Sequence, residues 1–156
     1  MTQADDEHPI RMVDVTLKET TSREAVASCT IRMGPDTVDR VVEGRLEKGN
    51  ALEVARVAAV LGAKKTPELV PLCHPIAVGA VETRFETKAD AIEITATVRT
   101  ADRTGVEMEA MVAAGAAALT IYDMIKGIDR GAEIVDLRLL RKSGGRSGTW
   151  EREDPA

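Results

Sequence analysis

Four predicted strands, three of them alternating, and three predicted helices, in the order β-α-α-β-β-α-β, point to an α+β chain. That order is the ferredoxin-like split βαβ pattern, an antiparallel sheet packed on helices, here with an extra helix in the first crossover. Length and composition agree: 156 residues, 44% apolar and 30% charged, describe one ordinary globular domain able to bury a real core.

Residues 1–10 read as a flexible N-terminal tail and 149–156, TWEREDPA, as a polar C-terminal one, leaving 11–148 as the single domain. Glu24–Met33 alternates small or apolar residues with polar ones and predicts the first strand. Pro35-Asp36 opens a short helix over 36–43. From Asn50 to Gly62, the residues Leu52, Val54, Ala55, Ala58, Ala59 and Leu61 fall at helical spacing, with Asn50 as N-cap and Gly62 as a stop. Pro67, Pro71 and Pro75 then break the chain, so 64–77 is expected to be mostly loop with at most one helical turn. Ile76–Thr87 and Ala91–Thr100 alternate and are joined by a short hairpin connection at Lys88-Ala89-Asp90. The longest helix is predicted over Val106–Ile128, opened by Thr104 and Glu107 at capping-box spacing. Its middle, AAGAAAL (113–119), carries side chains small enough for another backbone to approach closely. Ala132–Leu140 supplies the last strand, and KSGGRSG (142–148) reads as a glycine-rich basic loop.

Several function classes are excluded by composition. There is no run of about 18 apolar residues, so no membrane span is expected. The acidic, polar start MTQADDEHPIR has neither a signal-peptide core nor the Arg-rich bias of a transit peptide, which predicts a cytoplasmic protein. Cys29 and Cys73 are too few for a disulfide framework and lack CxxC spacing, which suits a reducing compartment. A net charge of −5 and only three aromatics, Phe85, Tyr122 and Trp150, argue against a nucleic-acid partner. An anionic ligand would need locally clustered cations.

Imidazole, carboxylate and amine groups, the tools of proton transfer, gather in a few stretches. His74, the only histidine beyond the tail, lies in PLCHP, where Pro75 imposes an extended backbone. It is either a hydrogen-bonded loop residue or a functional group. Cys73 reads as a small buried hydrophobe, and too few suitable ligands surround the pair for a zinc site. Glu107 has a capping role to explain it. Glu109 lies about 200° further round the helix, so one of the two must face inward or toward a partner unless the first turn is exposed. Asp123 and Lys126, spaced i, i+3, make either a surface ion pair or part of a site. Lys48 and Arg45 share a Gly-flanked loop before the second helix. Lys142 and Arg146 flank Gly144-Gly145, where free backbone N–H groups and two cations can surround phosphate oxygens or simply form a basic tail. Arg23, alone, is uninformative.

Taken together, MVDVT (12–16), GRLEKGN (44–50), PLCHPI (71–76), TGVEMEA (104–110), LTIYDMIK (119–126) and LLRKSGGRSG (139–148) resemble, in this order and spacing, the molybdenum-cofactor biosynthesis protein C family, the cyclic pyranopterin monophosphate synthases. The resemblance implies a catalytic domain that converts 3′,8-cyclo-7,8-dihydroguanosine 5′-triphosphate to cyclic pyranopterin monophosphate and expels pyrophosphate. It implies Asp123, Lys48 and Lys126 as catalytic residues. Substrate-binding positions fall on Leu72, Cys73, His74, Met108 and Glu109, with Glu107 adjacent and Arg23, Lys142 and Arg146 on the phosphate side. It also implies a homo-oligomer, a hexamer built as a trimer of dimers, with active sites between subunits. No cofactor is required; Mg2+ can accompany the triphosphate, although no carboxylate cage for it is visible. Asn50 stands where an aspartate is common in the family, and Ile125 where a cysteine is common. The competing expectation is a non-catalytic ferredoxin-like module that binds a metabolite.

Overall fold

The computed structural model describes residues 9–154. Its elements are β1 (Thr21–Arg32), α1 (Pro35–Val42), α2 (Ala51–Leu69), β2 (Val78–Thr87), β3 (Ala91–Asp102), α3 (Glu107–Ile125), β4 (Glu133–Ser143) and β5 (Trp150–Glu151). All pair antiparallel in one sheet of order β2-β3-β1-β4-β5. β1 and β2, linked through α1 and α2, therefore flank β3 rather than each other, which is the split βαβ arrangement with its extra crossover helix. Residues 1–8 of the expected N-terminal tail and 155–156 of the C-terminal one lie outside the described residues.

Period-two alternation puts Ala25, Ala27, Cys29 and Ile31 of β1 and Ile92, Ile94, Ala96 and Val98 of β3 into the core. Ile31, Ile92, Ile94, Ile121 and Ile125 are its bulkiest fully buried members, each contributing about 1.5–3 kcal/mol by burial. α3 is apolar and long enough to cross a membrane by composition alone. Here it is the central core helix, burying Ala110, Ala113, Ala114, Ala117 and Ala118. The other face of the sheet is polar. Glu82, Arg99, Glu24, Arg141 and Glu151 form an alternating ion chain across all five strands, with N–O distances of 2.6, 2.6, 2.9 and 3.2 Å.

Three expectations are corrected. Gly62 does not stop the second helix but lies buried inside α2, where a Cβ would come within 2.9 Å of the Ala116 Cβ and 3.2 Å of the Val112 carbonyl oxygen. It is a close-approach glycine that lets α2 lie against α3. α2 then runs through Pro67 to Leu69. Proline so near the end removes one hydrogen bond only, and the Thr66 hydroxyl donates to the Gly62 carbonyl at 3.0 Å. The capping box does not form either: α3 begins two residues later than that spacing requires, with Val106 as N-cap and no side-chain cap, while the Thr104 hydroxyl donates to the Gly105 carbonyl at 3.4 Å.

β4 is also longer than its sequence pattern suggests. Arg141 and Lys142 pair with Glu151 and Trp150, so the segment expected to be a polar end supplies β5. Lys142 is thereby a strand residue rather than a loop residue, and the glycine-rich turn starts at Gly144, with φ of +91°.

Candidate active site

Asn50 caps α2 by accepting hydrogen bonds from the Leu52 and Glu53 N–H groups at 3.1 and 3.2 Å. The cap fixes the end of the preceding loop and, two residues earlier, Lys48. Asp123 occupies the last turn of α3, and Lys126 is that helix's C-cap. The three meet: Lys48 Nζ lies 2.9 Å from Asp123 Oδ2, and Lys126 Nζ lies 2.5 Å from Oδ1. Hydrogen bonds from Lys126 and Lys48 pull the Asp123 carboxyl down to about 2. All three side chains are about half exposed, and ion pairs so wet add little to stability. Two separate motifs thus converge on an arrangement that stability does not explain.

A cavity of about 750 Å³ opens beside this cluster, lined also by Arg40, Arg45, Glu47, Tyr122 and Arg130. Its walls are latched together by Asp129, whose Oδ2 accepts from the Gly34 N–H at 2.8 Å and the Thr37 hydroxyl at 3.1 Å. This ties the turn after α3 to the first turn of α1, where a carboxylate also suits the helix dipole.

At the opposite end of α3, Glu109 is 1% exposed, and its Oε2 has no hydrogen-bond partner among the described residues. Cys73 Sγ donates to Oε1 at 3.6 Å. Burial raises the Glu109 carboxyl above its ordinary value, against the opposing effect of its hydrogen bonds. Burial, with Glu109 and Glu107 beside it, pushes the Cys73 thiol up to about 11, so Cys73 is a protonated donor rather than a nucleophilic thiolate. Glu107 folds over Gly105, where a Cβ would collide with its carboxylate. Leu72 and Met108 are exposed and His74 is half-buried. In the MVDVT segment, Asp14 accepts from the Thr16 N–H at 2.9 Å and the Thr16 hydroxyl at 2.6 Å, which holds its carboxyl below the ordinary value.

Arg23, on β1, donates to the carbonyls of Asp102 and Arg103 at 3.1 and 3.2 Å, which anchors it beside the chain leading into α3. A second cavity, of about 530 Å³, is lined by Arg23, Gly145, Arg146, Ser147, Leu17 and Lys18. Lys142 contacts the Ser147 hydroxyl. Gly144 and Gly145 are required here, since a Cβ at either would strike the Ser22 carbonyl or the Arg23 guanidinium. The loop is therefore folded tightly onto β1 rather than loose.

The expected residues consequently form two groups. Leu72, Cys73, His74, Glu107, Met108 and Glu109 adjoin Arg23, Lys142 and Arg146 at one end of the sheet; Lys48, Asp123 and Lys126 lie at the other. Fourteen residues of helix, about 21 Å, separate Glu109 from Asp123. Along β1, Arg23 and Arg32 are about 30 Å apart, and Gly34, just beyond, is the residue latched to Asp129. The sequence gives no hint of Arg40 or Arg130, because only the folding of α1 against the end of α3 brings them to Lys48.

The sequence is similar to those of known proteins. The MoaC family model matches residues 12–145, and the chain belongs to that family. A cyclic pyranopterin monophosphate synthase of Geobacter metallireducens is 53% identical over 154 residues, covering 97% of this chain and 96% of that protein. One of Thermomicrobium roseum is 50% identical over 156 residues, covering 99% and 94%, and one of Streptomyces coelicolor 49% identical over 152 residues, covering 97% and 89%.

Proposed function

We propose that this chain is a cyclic pyranopterin monophosphate synthase that acts on 3′,8-cyclo-7,8-dihydroguanosine 5′-triphosphate, a phosphorus–oxygen lyase that cyclises its substrate and releases pyrophosphate. The observation carrying this reading is the Lys48–Asp123–Lys126 cluster, assembled from two motifs at an exposed position where it gains the fold little.

Asp123 at about 2 is a weak base while both lysines hold it. A triphosphate competes for those ammonium groups, and as they turn toward phosphate oxygens the carboxyl returns toward its ordinary range and becomes a better proton acceptor. Lys48 and Lys126 then exchange protons and stabilise charge developing on the phosphate. Glu109 and Glu107 receive the N–H edge of the guanine-derived ring, while His74, Leu72, Cys73 and Met108 border it. Lys142, Arg146 and Arg23 hold the triphosphate, and any Mg2+ travels on its oxygens. Since one chain holds these groups at opposite ends, each active site draws on two subunits of a homo-oligomer, in keeping with a hexamer. Two unpaired thiols suit the reducing cytoplasm.

Turnover decides the matter. Purified protein given the cyclic triphosphate should form the cyclic monophosphate and stoichiometric pyrophosphate, and Lys48→Ala should lose at least about 10²-fold in kcat. Tight binding without any pyrophosphate release would leave a metabolite-binding module instead.

A further inference from the structure

The cavity beside Lys48, Asp123 and Lys126 holds two guanidinium groups for which the reaction as read above has no use. Arg40 stands in the last turn of α1 and Arg130 in the turn after α3. Among the described residues neither side chain closes an ion pair or donates a hydrogen bond, unlike Arg45, which pairs with Glu43. Both backbones are nonetheless pinned. The Arg40 carbonyl accepts from the Arg45 N–H at 2.9 Å, the Arg130 carbonyl accepts from the Tyr122 hydroxyl at 3.0 Å, and the Asp129 latch draws the two segments together.

Charge concentrates here against the trend of the molecule. Five cations but only two carboxylates, Glu47 and Asp123, line the cavity, in a chain whose net charge is −5. Asp123 is already engaged by two lysines. The dipole of α1 accounts for a cation at Arg40, but Arg130 follows α3 outside any helix and has no such explanation. Unpaired guanidinium forks converging on one cavity are the arrangement that binds phosphate oxygens in pairs.

We propose that Arg40 and Arg130 form a pyrophosphate site that receives the leaving group of the reaction. The proposal rests on the function read above. In the step concerned, a ribose-derived hydroxyl attacks the α-phosphorus and loses its proton to a base of the cluster. The bond from that phosphorus to the bridging oxygen of the β-phosphate breaks, and its electron pair leaves with pyrophosphate. Charge thus builds on the departing group, and two guanidinium forks next to the lysines stabilise it there. Arg23, Lys142 and Arg146, at the other end of the chain, hold the substrate before cleavage.

Calorimetric titration of the full-length protein with inorganic pyrophosphate at low salt tests the site without requiring turnover. The Arg40→Ala/Arg130→Ala double variant should bind pyrophosphate at least about tenfold more weakly, a loss of about 1.4 kcal/mol or more. The Arg40→Lys/Arg130→Lys pair should recover part of that loss, since charge returns without the fork. Inorganic phosphate should bind the parent far more weakly than pyrophosphate does. Parent-like pyrophosphate binding by the Ala double variant would overturn the proposal, as would equal affinity for phosphate and pyrophosphate. Product inhibition in the turnover assay separates the two readings. Catalysis with pyrophosphate inhibition unchanged in the double variant removes the site and keeps the reaction. Pyrophosphate binding through the two arginines in a protein that never turns over removes the reaction and, with it, the leaving-group role.

Discussion

Asp123 illustrates how much a single carboxylate can be made to do. Two ammonium groups at 2.9 and 2.5 Å hold it ionised, so in the resting protein it fixes where Lys48 and Lys126 point. Under the proposed mechanism Asp123→Ala should cost at least about 10²-fold in kcat while leaving the circular dichroism spectrum and melting temperature near those of the parent. A purified, folded Asp123→Ala protein that works at parental rate would remove Asp123 from the chemistry. Glu109 makes the opposite case, a carboxyl that burial raises above 4.5. Because the folded chain holds this proton more tightly than the unfolded one, the associated stability is fully present below about pH 4.5 and is lost as pH rises through the folded value. Glu109→Gln removes that loss. Its melting temperature should exceed the parent's at neutral pH and converge with it below pH 4.5, and parallel curves at all pH values would contradict the assignment.

Between elements, the decisive contact is Gly62 against Ala116. Alanine is the better helix former by about 1 kcal/mol, yet its methyl would sit 2.9 Å from the Ala116 Cβ, and overpacking of this kind costs about 1–3 kcal/mol. Gly62→Ala should therefore lower the melting temperature, and adding Ala116→Gly should restore part of it; a single variant that melts above the parent would show that the helices have room to spare. The same glycine shows where sequence periodicity stops being informative. Alternation on β1 and β3 and helical spacing on α2 and α3 follow from local side-chain pattern, and these elements were legible. Whether a glycine stops a helix or admits a neighbour depends on what packs there, as does the reach of β4, which gains Arg141 to Ser143 by pairing with Val26, Ala25 and Glu24 of β1, with Glu151 and Trp150 pairing on its other side. Among the site residues, Lys48, Asp123 and Lys126 could be named from their motifs. Their convergence could not, because it depends on the Asn50 cap and the Asp129 latch, each a contact made by folding. Arg40 and Arg130 sit in no motif and were invisible for the same reason.

At the scale of the whole molecule, the question is how one substrate reaches both groups of residues. Glu109 and Asp123 are about 21 Å apart on one straight helix, and the sheet runs between the same two ends, so no bending of a single subunit joins them without breaking the core. A second subunit that presents its Lys48–Asp123–Lys126 end to the Arg23–Lys142–Glu109 end of the first would complete a site without any such change. Lys142→Ala and Asp123→Ala chains should each be inactive alone. Refolded together, they should regain up to about a quarter of the activity per site, because random pairing gives some interfaces that carry neither lesion. Lys142→Ala refolded with Arg146→Ala should gain nothing comparable, since both lesions fall on the same side of the interface. A monomer in sedimentation analysis that retains full turnover would end the shared-site reading, as would a mixed oligomer of Lys142→Ala and Asp123→Ala chains that stays inactive.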